Sequence, residues 1–371
     1  MRALVSPSLS ETTLAVTPGE RLGAQAWDQL LLEQPEANLL QSWKWGELQS
    51  RFGWSVERLL FHGGRSGVCS LHRSASLYPG GAVYYVPRGP VVAERERLLV
   101  LDALEQRATA GRGLILRVEP NATVGDEWPA FFEGRGFVKG KAVQPEATRL
   151  LRIDLDPDSL KAGFKPKTRY NLNLAEKKGV MVRASRDAAT FARLAADTGK
   201  RQGIRLPGVA YYQAALDLFG PSDDVRLYLA EHEGDTLGGI MVFRFGKTAY
   251  YLFGGSSDRK RELMPNYLLH WRAMLDFKAL GCTTYDWWGI PEEPAPDHPW
   301  FGLYRFKTGF GGETVRYIGL YEHVLRPGPL KLERRLQEVK AKVRSPMHIL
   351  RVKWLGSGRS PSRPLSSSPR P

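Results

Sequence analysis

The chain carries the same order of predicted elements twice, and this repetition limits the folds it can adopt more than any other feature. In each half, three strands precede a helix, a further strand and a short helix. The first half places them at 55–62, 67–72, 82–86, 94–110, 114–118 and around 126–133. The second half places them at 225–231, 237–245, 248–253, 265–280, 283–287 and around 301–308. The repetition predicts an α/β protein with two mixed sheets flanked by helices, although this order is common enough to recur by coincidence.

A helix is predicted between the two halves, after a strand at 150–155 and a turn at 156–158. Pro166 suits the first turn of this helix, and Gly179 suits its end. Three cations crowd its amino-terminal turn: Lys165, Lys167 and Arg169. Because the helix dipole favours anions at that end, local stability does not explain these cations. A phosphate-bearing partner would explain them, and a solvated basic face is the alternative.

The positive charge of the chain is concentrated at its carboxyl end. The formal net charge is +14, and residues 326–371 hold 12 basic and 2 acidic side chains. Apolar residues recur there at helical spacing and predict an amphipathic helix: Leu330, Leu332, Leu336, Val339 and Val343. The composition beyond Trp354 predicts disorder. Such a tail favours a polyanionic neighbour, RNA or an anionic membrane face, and simple solubilisation is the alternative.

Several classes of protein lack support in the sequence. Neither of the two cysteines belongs to a C-x-x-C pair, so we expect Cys69 and Cys282 to be buried thiols. The histidines show no metal-binding spacing, and neither a Walker loop nor a G-x-S-x-G elbow is present. No stretch reaches the ~20 apolar residues of a membrane span, and the amino terminus lacks the apolar run of a signal peptide. We therefore expect a cytoplasmic protein without a metal.

Acetyltransferases that use coenzyme A are the strongest alternative, because the order of the elements fits their fold. Those enzymes bind the pyrophosphate at a Q/R-x-x-G-x-G/A turn that leads from a strand into a helix. The nearest run in this chain, 107–113, has one residue too many and leads from a helix into a strand. We therefore predict that the protein does not use coenzyme A and needs no other cofactor.

Specific motifs follow one another in the second half: Tyr251-Leu-Phe-Gly-Gly-Ser-Ser257, Leu263-Met-Pro-Asn-Tyr-Leu-Leu269, Tyr285-Asp-Trp-Trp-Gly-Ile-Pro291 and Gly302-Leu-Tyr-Arg-Phe-Lys-Thr-Gly-Phe-Gly-Gly312. Two further segments support them: Gln41-Ser-Trp-Lys-Trp-Gly46 and Lys165-Pro-Lys-Thr-Arg-Tyr-Asn171. Together these motifs resemble the Fem family of peptidoglycan aminoacyltransferases (FemA, FemB and FemX) over roughly residues 38–325.

This resemblance implies two tandem acetyltransferase-like (GNAT-like) domains, an aminoacyl-tRNA donor and a peptidoglycan precursor as acceptor. We expect a first domain at 1–148, completed by about 317–345, a second domain at 149–316 and a basic, disordered tail at 346–371. The reaction would attach an amino acid to a side-chain amine of the stem peptide, in lipid II or UDP-MurNAc-pentapeptide. Because the chain has no room for the long tRNA-gripping hairpin of some members, the basic cluster at the start of the central helix or the tail would hold the tRNA.

The resemblance also implies catalytic residues. Lys307 matches the lysine that family members place beside the reacting ester, where it would stabilise the oxyanion or the leaving group; a surface lysine at a helix end is the alternative. Phe306 would contribute its backbone to the same pocket. Glu119 matches an acidic position that faces the cleft, which makes it the candidate general base. The alternative for Glu119 is an ordinary carboxylate paired with Arg117 or Arg152.

Acceptor-binding residues follow from the same resemblance. Tyr211 and Tyr251 match positions that line the muropeptide site. Arg205 lies near, but not at, the place where an arginine holds phosphate in the family. Arg51 lies two residues after Gln49, which occupies the place of a common phosphate-binding lysine. These departures favour a lipid-linked acceptor, with the amphipathic helix of the tail against the anionic inner leaflet.

The sequence leaves two other functions open. The first is a tRNA-dependent aminoacyltransferase that acts on a protein, a lipid or a small metabolite. The second is a non-catalytic module that binds muropeptide or RNA. Charged tRNA that labels only a protein or a phospholipid would indicate the first, and binding without turnover would indicate the second.

Overall fold

The computed structural model describes residues 15–62, 66–291 and 294–343, which form two seven-stranded mixed sheets with helices on their faces. The strands are β1 (Ala15–Pro18), β2 (Ser55–His62), β3 (Ser66–Ala75), β4 (Ala82–Pro87), β5 (Gly113–Glu119), β6 (Val138–Lys139), β7 (Ala147–Arg152), β8 (Met181–Ser185), β9 (Val225–His232), β10 (Asp235–Phe245), β11 (Thr248–Ser256), β12 (Thr284–Asp286), β13 (Glu313–Arg316) and β14 (Tyr321–Val324). The α-helices are α1 (Gly23–Leu32), α2 (Trp43–Ser50), α3 (Arg97–Ala110), α4 (Trp128–Gly134), α5 (Pro157–Ala162), α6 (Pro166–Lys177), α7 (Ala188–Gln202), α8 (Val209–Phe219), α9 (Pro265–Ala279), α10 (Phe301–Gly309) and α11 (Pro327–Val343).

The two sheets have the same architecture. The strand order is β1-β2-β3-β4-β5-β14-β6 in the first sheet and, from the corresponding edge, β8-β9-β10-β11-β12-β7-β13 in the second. In each sheet three antiparallel pairs are followed by one parallel pair and then by two antiparallel pairs. The predicted repetition of elements is therefore confirmed.

The sheets exchange one strand each. Strand β14 comes from the end of the described chain, yet it lies in the first sheet between β5 and β6. Strand β7 directly follows β6 in the chain, yet it lies in the second sheet between β12 and β13. Each sheet is thus completed by a strand from the other half of the sequence, and we call this arrangement the strand exchange.

The central helix agrees closely with its prediction, whereas the strand predicted at 150–155 lies three residues earlier, as β7 (Ala147–Arg152). Helix α6 begins at Pro166 and ends just before Gly179, whose φ of +76° favours glycine. The turn predicted at 156–158 is wrong, because these residues begin helix α5. Asp156 caps that helix by accepting a hydrogen bond from the backbone N–H of Ser159 at 2.9 Å, and Pro157 occupies the first helical position.

The second sheet is covered on both faces, and part of its cover comes from the beginning of the chain. One face packs against α6 and α9 through a buried cluster that includes Leu172, Met274 and Phe310. On the other face, Trp45 and Leu48 of α2 join the cluster formed by α7, α8 and the sheet. The halves therefore share a hydrophobic core, whose burial stabilises them together.

The predicted amphipathic helix is confirmed as α11, but its apolar residues do not all face the protein, and one acidic residue is buried. Leu330 packs on the first sheet, and the buried Glu333 carboxylate accepts a hydrogen bond from the backbone N–H of Tyr78 at 2.8 Å. Leu332 and Val339 are 45% and 57% exposed. The predicted disordered tail lies outside the described residues. Among those described, no helix combines the length and apolarity that crossing a membrane requires, and both cysteines are buried as expected.

Candidate active site

Lys307 is a buried cation held by the backbone of a neighbouring turn. Its side chain projects from α10 and is 5% exposed. The ammonium nitrogen donates to the carbonyl oxygens of Trp287 and Gly289, each at 2.7 Å, and lies 5.2 Å from the ring centroid of Tyr251. An ammonium has three N–H donors, so these two contacts leave the third for another acceptor.

Asp286, the last residue of β12, is a buried acid whose charge acts on this lysine. Burial lowers the pKa of Lys307 to about 7, and the charge of Asp286 opposes that effect. Burial also raises the pKa of Asp286, whereas hydrogen bonds from Thr148 and Trp288 lower it, as do the charges of Arg88 and Lys307. The charge of each side chain thus favours the charged form of the other, against the effect of burial.

The turn that grips Lys307 is strained at its centre. Trp288 has a φ of +54°, a left-handed conformation that is unfavourable for a bulky residue. Its backbone N–H donates to Asp286 Oδ1 at 2.8 Å, and its carbonyl accepts from Thr148 Oγ1 at 3.1 Å. These bonds hold the turn so that the carbonyls on both sides of Trp288 point at one ammonium.

Aromatic rings surround the lysine. His270 is buried, and its Nδ1 lies 2.8 Å from the Tyr285 hydroxyl oxygen. Burial and the charge of Lys307 lower the pKa of His270 well below 6.5, so the imidazole is neutral. The indole N–H of Trp287 has no hydrogen-bond acceptor among the described residues. The rings packed together here are those of Tyr251, Tyr267, His270, Tyr285, Trp287, Phe306 and Phe310.

An extra residue in β11 determines which of its side chains reach this cluster. Tyr251 pairs with Val242 of β10, but Phe253 pairs with Met241, so Leu252 has no partner of its own. Tyr251 therefore packs with the rings around Lys307, whereas Leu252 and Phe253 both join the cluster on the opposite face of the sheet. The next residue, Gly254, lies beside the Tyr251 hydroxyl, where a β-carbon would collide with it.

The structure brings three of the predicted site residues together: Lys307, Phe306 and Tyr251. Phe306 lies within α10 and contributes its ring to this group. The ring is 4.9 Å from that of Tyr267 and 5.5 Å from that of His270, measured between centroids. A backbone role for Phe306 stays a prediction.

Glu119, the predicted general base, is fully buried at the end of β5. One of its oxygens accepts from the backbone N–H groups of Val143 and Gln144, at 3.1 and 2.9 Å, and the other accepts from the Tyr85 hydroxyl at 2.6 Å. Burial raises its pKa, and the charge of Arg88 opposes this effect. Glu119 pairs with neither Arg117, which binds Glu322, nor Arg152, which binds Asp154. Its general-base role stays a prediction, and these contacts are typical of a structural acid.

The predicted acceptor-binding residues do not form one group. Tyr211 belongs to the cluster on the face of the second sheet opposite Tyr251. It accepts a hydrogen bond from Gln49 of α2 at 3.0 Å, which joins α8 to α2. Arg51, at the end of α2, and Arg205, in the loop before α8, are exposed. Tyr251 alone lies beside Lys307.

The predicted phosphate-binding cluster begins next to α10. The backbone N–H of Lys165 donates to the carbonyl of Gly309 at 2.8 Å, which ties the start of α6 to the helix that carries Lys307. Lys165 and Lys167 are exposed. Arg169 has a local role, because its guanidinium donates to the carbonyls of Ala162, at 3.1 Å, and Phe164. The two lysines therefore remain the stronger candidates for a phosphate contact.

Sequence reasoning missed three residues that shape this site: Arg88, His270 and Asp286. Asp286 lies within a quoted motif, and an acid between a buried strand and a Trp-Trp-Gly turn was the available signal. His270 looks like an ordinary core residue of α9, and Arg88 follows β4 without any motif. Among the described residues no three or more His, Cys, Asp or Glu side chains are grouped so as to hold a metal ion. The functional groups of the site are therefore the Lys307 ammonium, the Asp286 carboxylate and the surrounding aromatic rings.

Comparisons with known proteins agree with this architecture. The FemAB family model matches residues 131–236 and 230–336, more than half of the chain. The chain is 25% identical over 387 aligned residues to the lipid II:glycine glycyltransferase of Staphylococcus aureus (strain USA300), covering 81% of this chain and 91% of that protein.

Solved structures show the same fold. The crystal structure of FemX has a TM-score of 0.75 at 24% identity, covering 83% of this chain and 98% of FemX. A tandem GNAT protein from the clavulanic acid biosynthesis pathway has a TM-score of 0.51 at 15% identity, covering 84% of this chain and 98% of that one. The predicted fold of two tandem GNAT-like units is therefore confirmed, and the chain belongs to the FemAB family.

Proposed function

We propose that this protein transfers an amino acid from aminoacyl-tRNA to a side-chain amine in the stem peptide of a peptidoglycan precursor. The observation that carries the proposal is the Lys307 ammonium, buried and gripped by two carbonyls with one N–H to spare. The relative from Staphylococcus aureus, whose name makes it a glycyltransferase that acts on lipid II, supports the acyl transfer and the class of acceptor. The donor rests on the family resemblance.

In the proposed reaction, the acceptor amine attacks the ester carbonyl carbon, and the carbonyl oxygen becomes negatively charged. The free N–H of Lys307 stabilises that oxygen, in a site where burial strengthens the interaction. The intermediate then collapses: the carbon–oxygen ester bond breaks, the new carbon–nitrogen bond remains, and the ribose oxygen leaves. The amine loses one proton and the leaving oxygen gains one, so the reaction needs no net supply of protons.

Lys307 can serve both charge and proton transfer, because its pKa of about 7 lies close to neutral pH. An ammonium here can give a proton to the leaving oxygen and regain one from the attacking amine. The developing negative charge favours the protonated lysine, as any nearby anion would. The buried Asp286 carboxylate favours it too, before substrate arrives.

The donor tRNA is proposed to bind across the start of α6. Lys165 and Lys167 are exposed there, and Lys167 Nζ lies 5.0 Å from the ring centroid of Tyr170, itself a largely exposed aromatic. Cations neutralise phosphates, and an exposed ring can stack on an unpaired base. Because Lys165 contacts Gly309, two residues after Lys307, an RNA end held here would be near the lysine.

A direct assay tests the proposal. Purified protein is incubated with a mixture of charged tRNAs and with lipid II or UDP-MurNAc-pentapeptide, and the product is analysed by mass spectrometry. We expect one added aminoacyl residue on the stem-peptide amine. Free amino acid in place of charged tRNA should give no product. Labelling of a protein or a phospholipid alone would contradict the cell-wall acceptor, and binding of the precursor without turnover would favour a non-catalytic module.

We further propose that α11 rests on an anionic membrane and so favours the lipid-linked acceptor. Leu332 and Val339 are exposed on one side of this helix, with Lys331 and Arg335 exposed nearby. Basic residues gain ~1 kcal/mol each near an anionic leaflet, and exposed apolar side chains can insert among the lipids.

Co-sedimentation with vesicles tests this contact. We expect binding to vesicles of anionic phosphatidylglycerol and little binding to vesicles of phosphatidylcholine. Changing Leu332 and Val339 to Asp should weaken binding by about fivefold per added charge. Val124→Asp is the control, since Val124 is 67% exposed on another part of the surface. If the control and the helix variant lose vesicle binding equally, α11 is not the membrane-binding element.

A further inference from the structure

Arg88 is a buried cation whose position the active-site chemistry leaves unexplained. It directly follows β4, has a φ of +49° and is 1% exposed. One guanidinium nitrogen donates to the Pro145 carbonyl at 2.6 Å. No group among the described residues accepts a hydrogen bond from its Nε or Nη1. The guanidinium lies 3.9 Å from the ring centroid of Tyr317 and 5.7 Å from that of Trp288.

Packing alone does not account for such a residue, because a buried guanidinium is unfavourable unless its charge is used. Two buried carboxylates feel that charge, Glu119 from the first sheet and Asp286 from the second. Both already accept hydrogen bonds from other groups, so Arg88 acts on them through its field. Arg88 is therefore a cation whose charge acts on the last residue of β5 in the first sheet and on the last residue of β12 in the second.

Contacts lead from Arg88 to Lys307. The guanidinium faces Trp288, the central residue of the turn whose flanking carbonyls hold the Lys307 ammonium. The backbone N–H of Trp288 is bonded to Asp286, whose charge acts on both Arg88 and Lys307. Displacing Arg88 would therefore disturb both the turn and the carboxylate.

We propose that Arg88, which follows β4 of the first sheet, is a positioning residue for Lys307: its guanidinium packs against Trp288 and supports the turn whose carbonyls hold the Lys307 ammonium, and its positive charge acts on the Asp286 carboxylate beside that turn. The link to catalysis rests on the proposed function, whereas the link to the charge of Lys307 does not. The titratable and charged groups of the described residues that face Lys307 or Asp286 are Arg88 after β4, Tyr250 and Tyr251 on β11, His270 on α9, Tyr285 on β12, and Tyr317 before β14.

Titration of the Lys307 side chain by nuclear magnetic resonance tests the proposal without any substrate. Lysine is labelled at Nζ and Cε, and the signal is assigned as the one missing in Lys307→Met. In Arg88→Met we expect the pKa of Lys307 to fall by roughly half a unit or more, since Asp286 then takes up a proton more readily. Arg88→Lys keeps the charge and should restore much of the wild-type value.

A double-variant comparison separates positioning from general damage. Asp286→Asn alone should lower the pKa of Lys307 in the same direction, and Arg88→Met combined with Asp286→Asn should add no further fall. Arg58→Met is the matched control, because Arg58, on β2 of the first sheet, is also buried and its guanidinium lies 3.7 Å from the ring centroid of Trp43 on α2. It should leave the pKa of Lys307 unchanged. If Arg88→Met does not fold, Arg88→Gln and Arg88→Lys replace it.

The result separates the two proposals. An unchanged pKa of Lys307 in Arg88→Met or Arg88→Gln, or additive falls in the double variant, would overturn the positioning role even if the wild type transfers amino acids. The expected titrations from a protein that makes no product would retain the positioning role and refute the proposed reaction. In an active protein, loss of Arg88 should lower kcat more than it raises KM, because Lys307 acts in the transition state.

Discussion

The two sheets end their parallel strand pairs with the same kind of residue but with different surroundings. Glu119 lies opposite Pro87 in the first sheet, as Asp286 lies opposite Tyr250 in the second. The residue after Pro87 is Arg88, and the residue after Tyr250 is Tyr251, whose ring faces Lys307. The first acid is closed off by backbone N–H groups and a tyrosine, whereas the second faces a lysine. The two sheets thus share one architecture but differ at this position: the acid of the second sheet lies in the candidate active site, whereas the acid of the first sheet has only structural contacts among the described residues.

The strand exchange predicts that neither sheet is complete without the other half of the chain, and this is the largest effect we expect. Expressed alone, residues 1–146 would lack β14, so β5 and β6 would both present unpaired edges, and we expect this piece to aggregate. Co-expressed with 147–371, it should become soluble and co-elute with that piece in gel filtration. A folded, monomeric 1–146 piece would show that the first sheet does not need the exchanged strand.

Removing the lysine tests whether the second sheet alone carries the chemistry. Lys307→Met should reduce kcat by about 10²- to 10³-fold, as expected when a donor to an oxyanion is lost. Lys200→Met, a change of an exposed lysine on α7, should have little effect. If the two variants retain similar activity, Lys307 is not the catalytic group.

The same substitution should leave the protein at least as stable as before near neutral pH. The folded pKa of Lys307, about 7, is below the ordinary value of 10.5, so the unfolded chain binds the extra proton between these values. The stability contribution of this group therefore rises with pH above 7. We expect the wild type to gain thermal stability relative to Lys307→Met between pH 7 and pH 9. A constant difference in melting temperature would contradict the lowered pKa.

Neutralising each acid compares the two sheets directly. Lys307 must keep a proton while the acceptor amine, with an ordinary pKa of ~10.4, must lose one, so log kcat/KM should rise with pH and level off near pH 7. Asp286→Asn should move this bend to lower pH and reduce the plateau, by up to about tenfold for each unit that the pKa of Lys307 falls. Asn can keep both observed hydrogen bonds, because both fall on Oδ1.

Glu119→Gln should leave that bend in place and instead destabilise the protein by about 1 kcal/mol, because an amide N–H₂ replaces an acceptor of the Tyr85 hydroxyl. Urea denaturation and the pH profile measure the two effects. If Glu119→Gln abolishes turnover while the fold is retained, Glu119 is the general base after all, and the asymmetry between the two acids is lost.

The sequence could predict the frame because its elements are marked locally. The helix from Pro166 is bounded by proline and glycine, and strand Ser55–His62 by turn residues, so periodicity located both. The exchange of β7 and β14 has no local mark, because strand order depends on contacts distant in the sequence; only the family resemblance predicts that about 317–345 complete the first domain. The Asp156-Pro157 pair shows the same limit on a small scale, since it can either form a turn or start a helix.

In the site, too, local motifs identify some residues, whereas the contacts between them depend on parts of the chain that are distant in sequence. Lys307 could be found because a motif surrounds it, but its grip by the Trp287 and Gly289 carbonyls depends on a turn that the motif does not describe. Tyr211 and Tyr251 both match acceptor positions, yet they lie on opposite faces of one sheet. Arg88 could not be found, since its significance comes from two acids far away in the chain.

The unpaired Leu252 has a consequence for how the site can evolve or be engineered. One inserted residue reverses the in–out alternation of β11, so that Tyr251 and Gly254, rather than Tyr251 and Phe253, become neighbours on one side of the sheet. The Tyr251 hydroxyl thereby lies where a side chain at position 254 would begin, and only glycine leaves it that space. Any larger residue at 254 would collide with the Tyr251 hydroxyl. Deleting Leu252 would restore the regular pairing of β11 with β10 and leave Tyr251 and Gly254 on the same side, so the cost would fall on the cluster of the opposite face, which loses the leucine side chain.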